Sequence, residues 1–391
     1  MSLNYDKLLR FDLLNDADQK FNDDREKCLE FLKLCYDIGA TDRFIRECPS
    51  FPGSTKSIIR DELVSVIGST LSIEGIVLRE EEIKEALQDP SLGNIHAVNS
   101  RKVYDYIHEE IRQSKGNFVY KEEYITKIHE LFTAGIDYIG SKPGVYRDIN
   151  ASFGEPRRVS LCHNYADIYQ AMKNYIEWLN SRKTGWLTSN TFANAIMAHY
   201  YLAEIHPFGD GNGRTARAIE AIVLYADRIN PYCFWSLANF WGAHRNEYIT
   251  HLGEIRDTCD PLDFIIWGAK GYLEEVNRIK DRILKKLKCL MLRDYMDWLY
   301  KNKKRQKPEK KINQRIRDVI FLLTDFGKIT FDQFRNSPQY GSLYSGISSS
   351  SKSRDLTKMK SLDLIRISTV EGTEFIEPNY DILEKMEYVI P

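Results

Sequence analysis

The stretch AEIHPFGDGNGRTARAIEAIVL, residues 203–224, ends one helix and starts another within a few residues. No other feature of the chain constrains its fold as much. Upstream, TSNTFANAIMAHYYLAEI carries Phe192, Ile196, His199 and Leu202 at the spacing of one helix face. Pro207 lacks an N–H and its ring clashes with the preceding turn, so this helix has to stop near His206. Downstream, AIEAIVLYADRI is helical again. In between, Gly209, Gly211 and Gly213 accept backbone angles that other residues resist, and they let backbone N–H groups come close to an anion. Those groups lie at the start of the second helix. A helix start has unpaired donors and the positive end of a dipole, which together make an anion site.

The charged residues fit such a site. Arg214 and Arg217 are three apart and share a helix face. Cations at a helix N-terminus oppose its dipole, so two of them make sense beside a multiply charged anion such as a polyphosphate. Asp210 suits Mg²⁺, which takes one or two carboxylates together with phosphate oxygens. His206 stands at the mouth of the loop, and a neutral imidazole is the usual general base near neutral pH. Taken singly, each has a plainer reading: a structural His, a weak Gly pattern, a solvated Arg pair. Their coincidence within twelve residues describes nucleotidyl or phosphoryl transfer.

HPFGDGNGRTAR resembles the signature of the Fic (filamentation induced by cyclic AMP) family, H-P-F-x-D-G-N-G-R-x-x-R, at every defined position, and AHYYLAEI before it is also similar. The resemblance covers roughly residues 100 to 270. It implies a protein adenylyltransferase, moving AMP from ATP to a hydroxyl side chain (Tyr, Thr or Ser) of a target protein or of itself. It further implies that His206 is the catalytic base and that Asp210 holds Mg²⁺. Asp210, Gly211, Asn212, Gly213, Arg214, Thr215 and Arg217 would bind the ATP phosphates. Death-on-curing kinases share the fold but lack the second Gly and last Arg, present here as Gly213 and Arg217. Tyr248, in HRNEYITHL, matches a nucleotide-pocket Tyr of relatives; many of them carry Tyr-Tyr where this chain has Tyr-Ile.

STLSIEGI matches the family's inhibitory pattern, Ser/Thr-x-x-x-Glu-Gly/Asn, through Thr70, Glu74 and Gly75. Read by itself, Glu74 is a polar helix residue before a C-terminal Gly. The resemblance implies that Glu74 pairs with Arg217 and keeps the γ-phosphate from its productive position, in the class with an N-terminal inhibitory helix. In some relatives the same Glu supports AMP removal. The segment ASFGEPRRVS sits where relatives carry a flap that holds a target segment as an added strand.

Repeated helical spacing makes the chain mainly α; the resemblance implies a Fic helical core with a small β-hairpin flap, beside an N-terminal helical region and a C-terminal winged helix. The expected division is 1–100 (helical, carrying the inhibitory helix), 101–270 (Fic core), 271–310 (helical and basic linker) and 311–391 (winged helix). In the first part, DREKCLEFLKLCYDIG sets Leu29, Phe31, Leu32, Leu34 and Cys35 on an apolar stripe. In the last, three short helices precede a closing hairpin of LIRIST and TEFIEP. Lys352, Arg354, Lys358 and Lys360 lie on or near the third helix, with Asp355 and Asp363 close by. This part would bind DNA or protein. A rival reading makes the chain a DNA-binding transcription regulator with a nucleotide-sensing Fic domain.

With 28% charged residues and a formal net charge of −1, the chain has no protein-wide field for nucleic acid or anionic membrane. Its seven cysteines include no C-x-x-C pair and read as reduced thiols. The polar, acidic start lacks a signal-peptide pattern and no apolar run reaches the length of a membrane span. The expected location is cytoplasmic, with no membrane partner. A homo-oligomer is expected.

Overall fold

The computed structural model describes residues 10–19, 24–48, 52–91, 93–138, 141–154, 158–181, 183–230, 237–302 and 312–384. The chain divides into two compact units, Met1–Lys280 and Asp281–Pro391.

The first unit is built from α1 (Leu13–Gln19), α2 (Arg25–Glu47), α3 (Pro52–Ile73), α4 (Glu80–Gln88), α5 (Ile95–Ser114), α6 (Glu122–Thr133), the hairpin strands β1 (Ser152–Phe153) and β2 (Arg158–Val159), α7 (Tyr165–Asn180), α8 (Thr191–Ile205), α9 (Asn212–Ala226), α10 (Ala238–Ala243), α11 (Arg245–Thr258) and the start of α12 (Leu262–Lys301). α8 and α9 lie against each other at the centre; α7 covers α8, while α3, α5 and α6 cover α9. Asn190 caps α8 by accepting the Ala193 N–H at 3.0 Å. Phe192, Ile196, His199 and Leu202 are buried as expected, but so is nearly every other residue of α8. A helix apolar on all sides is what a central position demands.

α2 departs from its expected stripe. It buries Cys28, Phe31, Ile38 and Ile45, and leaves Leu29 and Leu32 52% and 41% exposed. Apolar residues run around much of this helix, and contact with neighbours selects the inward face where periodicity alone does not.

α3 packs against α4, α5, α9 and α10. It seats Val66, Ile67 and Leu71 with no solvent exposure, each contributing about 1.5–3 kcal/mol. Polar ties add to this seat. Arg278 grips the buried Glu62 with both terminal nitrogens, at 2.9 and 2.6 Å. Ser69 donates to Asn239 Oδ1 at 2.8 Å, and Asn239 donates to Glu275 at 3.0 Å. Gly75, just past the helix, has φ +80°, a backbone angle that suits glycine and ends the helix as the sequence implied.

The second unit holds the end of α12, α13 (Gln314–Phe326), β3 (Ile329–Thr330), α14 (Phe331–Asn336), α15 (Pro338–Leu343), α16 (Ser349–Ser361), β4 (Ile365–Val370) and β5 (Thr373–Pro378). The strands form an antiparallel sheet in the order β3-β5-β4. Glu371 and Gly372 both have positive φ, 48° and 78°, the geometry of a tight two-residue hairpin turn. Between α14 and α16 the chain inserts a short helix that periodicity missed, α15, started by the Ser337 cap and Pro338 at its first turn. The core joins Leu292, Met296 and Leu299 of α12 to Val319, Leu323, Phe334 and Ile376. Residues 271–301 of the expected linker are thus the body of α12, and the basic run 303–311 lies outside the described residues. Asp355 turns inward and accepts from Arg315 Nε at 2.6 Å, so it does not stand on the outer face of α16 with the basic residues.

Candidate active site

α8 ends with His206 in the left-handed region at φ 49°, its N–H returning to Leu202 O, and Pro207 follows. This is a helix C-cap filled by a residue other than glycine, so the backbone there is held by other contacts. Arg147 supplies them. Its Nε donates to His206 O at 2.7 Å and its backbone N–H to Pro207 O at 2.9 Å. Its other nitrogens donate to Ile149 O at 2.6 Å, Ser160 Oγ at 2.7 Å and Cys162 O at 3.0 Å. Arg147 is itself buried.

The loop behind His206 is braced from within. Asn212 accepts the Phe208 N–H at 2.9 Å and donates to Phe208 O at 2.9 Å. Thr215 donates to Gly211 O at 2.9 Å. The side chains of both residues therefore face the loop, and the Thr215 N–H is also taken, donating to Gly211 O at 3.1 Å. Gly211 caps α9 at φ 77°, where a Cβ would press on Thr133 and His129 at 3.2 and 3.3 Å. His129 stacks on Phe208 with centroids 3.7 Å apart. Its Nδ1 accepts from the Gly144 N–H at 2.9 Å, so Nε2 carries the proton and donates to Asp210 O at 2.8 Å. Burial pushes this imidazole down to about 4.

The His206 ring is held on two sides. Its ring stacks on Phe153 of β1, centroids 4.0 Å apart. Its Nδ1 lies 3.2 Å from Ala203 O; a carbonyl only accepts, so Nδ1 holds the proton, and among the described residues the Nε2 lone pair is left open. Burial pushes its pKa down to about 4, with the Arg147 charge acting the same way, so the ring is neutral near pH 7.

The two arginines of α9 serve different partners. Arg214 donates to Tyr138 OH at 3.0 Å and to Asp210 Oδ1 at 2.9 Å. Its Nε is buried without a hydrogen-bond partner among the described residues. Asp210 is 42% exposed. Among the described residues no group of three His, Cys, Asp or Glu side chains is placed to hold a metal ion. A lone exposed carboxylate fits Mg²⁺ only where water and phosphate oxygens complete its shell.

Arg217 reaches α3. Its Nε donates to Thr70 Oγ1 at 2.9 Å, and its Nη2 to Thr70 O at 3.0 Å and Glu74 Oε1 at 2.6 Å. Arg217 is buried and the Glu74 side chain 28% exposed. Burial opposes the charge on Glu74, but Arg217 outweighs it, helped by Arg214 and His206, and holds the carboxyl below its ordinary range. Gly213 makes room for this contact: a Cβ there would run into Glu74 Oε1.

These groups open on a cavity of about 400 Å³ whose wall includes Glu74, His206, Arg217, Tyr248, Ile249 and Leu252. Tyr248 is buried at its edge, with its hydroxyl 2.7 Å from His199 Nε2. Glu204, also in the wall, is pushed up to about 7 by burial, against the pull of Arg256 and Arg158. The structure thus brings Thr70, Glu74, His206, Gly213, Arg217 and Tyr248 together, with Asp210 and Arg214 beside them at the α9 start. Reading the sequence missed His129, Tyr138 and Arg147. None stands in a motif, and each comes from a segment more than fifty residues upstream of the loop.

The unit thus sets a Gly-rich loop at the start of a central helix beside the His206 ring and two buried arginines. Residues 119–224 match the family described as Fic/DOC. The protein adenylyltransferase Fic of Drosophila grimshawi is 43% identical over 121 residues, which cover 28% of this chain and 24% of that protein. Its counterpart in Aedes aegypti is 34% identical over 116 residues, covering 26% and 22%. The chain thus spans about a quarter of the length of these curated relatives. A Fic family protein from Desulfovibrio desulfuricans G20 superposes with a TM-score of 0.53 at 15% identity, over 89% of this chain and 95% of that one. A fragment of C. elegans Fic-1 superposes with a TM-score of 0.50 at 19% identity, over 70% and 75%. These structural likenesses establish the shared fold.

Proposed function

We propose that the protein transfers AMP from ATP to a hydroxyl side chain of a target protein, and that Glu74 holds it in a restrained state. The observation that carries the reading is the open Nε2 of a neutral His206 beside the Gly-rich start of α9. In this mechanism His206 Nε2 takes the proton of the target hydroxyl. The oxygen attacks the α-phosphorus and forms a new P–O bond, while the bond to the β-phosphate oxygen breaks and pyrophosphate leaves. The N–H groups at the start of α9 face the phosphates, and Arg214 and Arg217 offset their charge. Asp210 would hold Mg²⁺ jointly with the phosphates, and the ion supplies further charge neutralisation when bound.

In the restrained state Arg217 is held by Thr70 and Glu74, and the Glu74 carboxylate sets negative charge where the γ-phosphate would lie. Whether the cell also uses Glu74 for AMP removal belongs to the same reading. The sensor-only alternative is not favoured, because sensing a nucleotide has no need of an oriented base. Residues 311–391 are read as a winged helix presenting the basic side chains of α16 to a partner.

The test is label transfer. Protein incubated with α-labelled ATP and Mg²⁺ in a lysate should pass label to a protein, whereas γ-labelled ATP should not. Asp210→Ala should abolish the dependence on Mg²⁺. Transfer of the γ label, or an Asp210→Ala protein with unaltered Mg²⁺ dependence, contradicts the assignment.

A further inference from the structure

Behind Arg217 lies a chain of fully buried polar groups that neither the loop motif nor the α3 contact uses. Tyr248 OH is 2.7 Å from His199 Nε2, and His199 Nδ1 is 2.6 Å from Glu220 Oε2. Trp241 Nε1 donates to the same carboxylate oxygen at 3.2 Å. At the other end the Tyr248 hydroxyl interacts with the Arg217 guanidinium. Glu220 and His199 are wholly buried, and Glu220 Oε1 has no hydrogen-bond partner among the described residues. A buried carboxylate with one oxygen unmatched is a burden on stability, set against the two buried donors, His199 and Trp241, that it satisfies.

The two ends set the polarity of the chain. Arginine and the tryptophan N–H can only donate. With the Arg217 guanidinium facing the Tyr248 oxygen, the tyrosine proton turns the other way, to His199 Nε2. Nε2 is then the acceptor and Nδ1 carries the proton, which it donates to Glu220. Both bonds run in one sense, from Tyr248 through His199 to the buried carboxylate, and aligned bonds strengthen one another.

We propose that Tyr248, His199 and Glu220 form a positioning chain that holds Arg217 in place while its other partners are exchanged. The contacts with Thr70 and Glu74 come from α3, whereas this chain comes from α8, α9 and α11. When Glu74 gives way to the γ-phosphate, Arg217 keeps a fixed anchor and does not have to be ordered afresh. His199 and Glu220 touch neither nucleotide nor target in this scheme; they act through Tyr248 and Arg217.

The inference rests on Arg217 as the γ-phosphate contact, and the experiment separates the two ideas. ATP and AMP binding are measured by calorimetry in a Glu74→Gly background, adding Arg217→Ala, Glu220→Gln or Tyr248→Phe. Loss of one charge-assisted contact corresponds to about tenfold in affinity. Glu220→Gln and Tyr248→Phe should therefore each weaken ATP by about that factor while leaving AMP within about twofold. Neither should weaken ATP further once Arg217→Ala is present. If Arg217→Ala shifts ATP against AMP but neither chain variant does, the positioning chain is refuted and the Arg217 assignment stands. If Arg217→Ala itself leaves the ATP-to-AMP ratio unchanged, the phosphate reading falls and takes the proposal with it. Equal losses for ATP and AMP in both chain variants mean general damage to the pocket and also overturn it. Tyr248→Phe keeps the ring that stacks on Trp241, and its ATP-to-AMP ratio alone decides between these outcomes if Glu220→Gln fails to fold.

Discussion

His206 combines an unusual backbone with an ordinary tautomer. Its left-handed cap turns the ring out of α8, and Arg147 fixes the peptide that carries it. The ring has no role in the described bonding of the glycine loop, so removing it leaves the phosphate cradle standing. His206→Ala should therefore lower AMP transfer by about 10²-fold or more while ATP affinity, read by calorimetry, stays near wild type. Near-normal transfer in this variant would remove the base from the mechanism. Around it, the legible residues were the contiguous ones. HPFGDGNGRTAR keeps base, cradle and arginines within one turn of chain, so their types and spacing speak for themselves. Arg147 and His129 act on the same loop through its carbonyls. A side chain that recognises a carbonyl leaves no trace in the sequence of the loop it recognises. Asn212 and Thr215 show the converse: their motif positions were legible, but not that their side chains turn inward to brace the loop.

At the scale of the element, α3 decides how restraint could be lifted. Val66, Ile67 and Leu71 together hold it with several kcal/mol of apolar burial, before the grip of Arg278 on Glu62 is added. Breaking the Glu74–Arg217 pair costs on the order of a few kcal/mol. The cheaper route is local, at the last turn before Gly75, with the helix body staying put. Glu74→Gly should then raise self-labelling from α-labelled ATP well above wild type, by roughly a hundredfold if the pair costs about 3 kcal/mol. Its thermal midpoint should fall, because Arg217 stays buried without the carboxylate it was paired with. Adding Arg217→Ala should cancel the gain. A Glu74→Gly protein no more active than wild type would make Glu74 an ordinary helix residue. A second test concerns how closely elements approach. Gly271 lets α12 lie against Phe240 of α10, where a Cβ would meet the ring. Alanine favours a helix by about 1 kcal/mol over glycine. Overpacking costs about 1–3 kcal/mol, and Phe240 is held by Trp241 and Trp267. The clash should win, and Gly271→Ala should lower the midpoint of chemical unfolding. An unchanged or raised midpoint would mean that α10 yields freely. Periodicity found the long central helices but could not say which side of α2 faces inward, nor find α1, α4, α10, α11 and α15, most of them too short for a repeat to register.

At the scale of the whole molecule, two desolvated imidazoles set an acid limit. His129 and His206 are both pushed to about 4 by burial, below the ordinary value of about 6.5. Between those values the unfolded chain binds more protons than the folded one, so stability falls as pH drops from about 6.5 to about 4. The contribution is fully present above about 6.5 and gone below about 4. Denaturant midpoints measured at pH 7 and pH 5 should show this fall, and a His129→Gln protein should show a shallower one. Equal slopes in the two proteins would mean that His129 is not among the groups responsible.

Gly213 has a consequence for genetics. It belongs to the start of α9 and yet leaves just enough space for a carboxylate from α3. On the proposed reading, a mutational scan scored for transfer would split by sign. Substitutions along the buried seam of α8 and α9 would score below wild type, and substitutions of Thr70 and Glu74 above it. Selection would then have to guard the α3 positions against excess, and damaging alleles there would be dominant, unlike the recessive losses expected at His206.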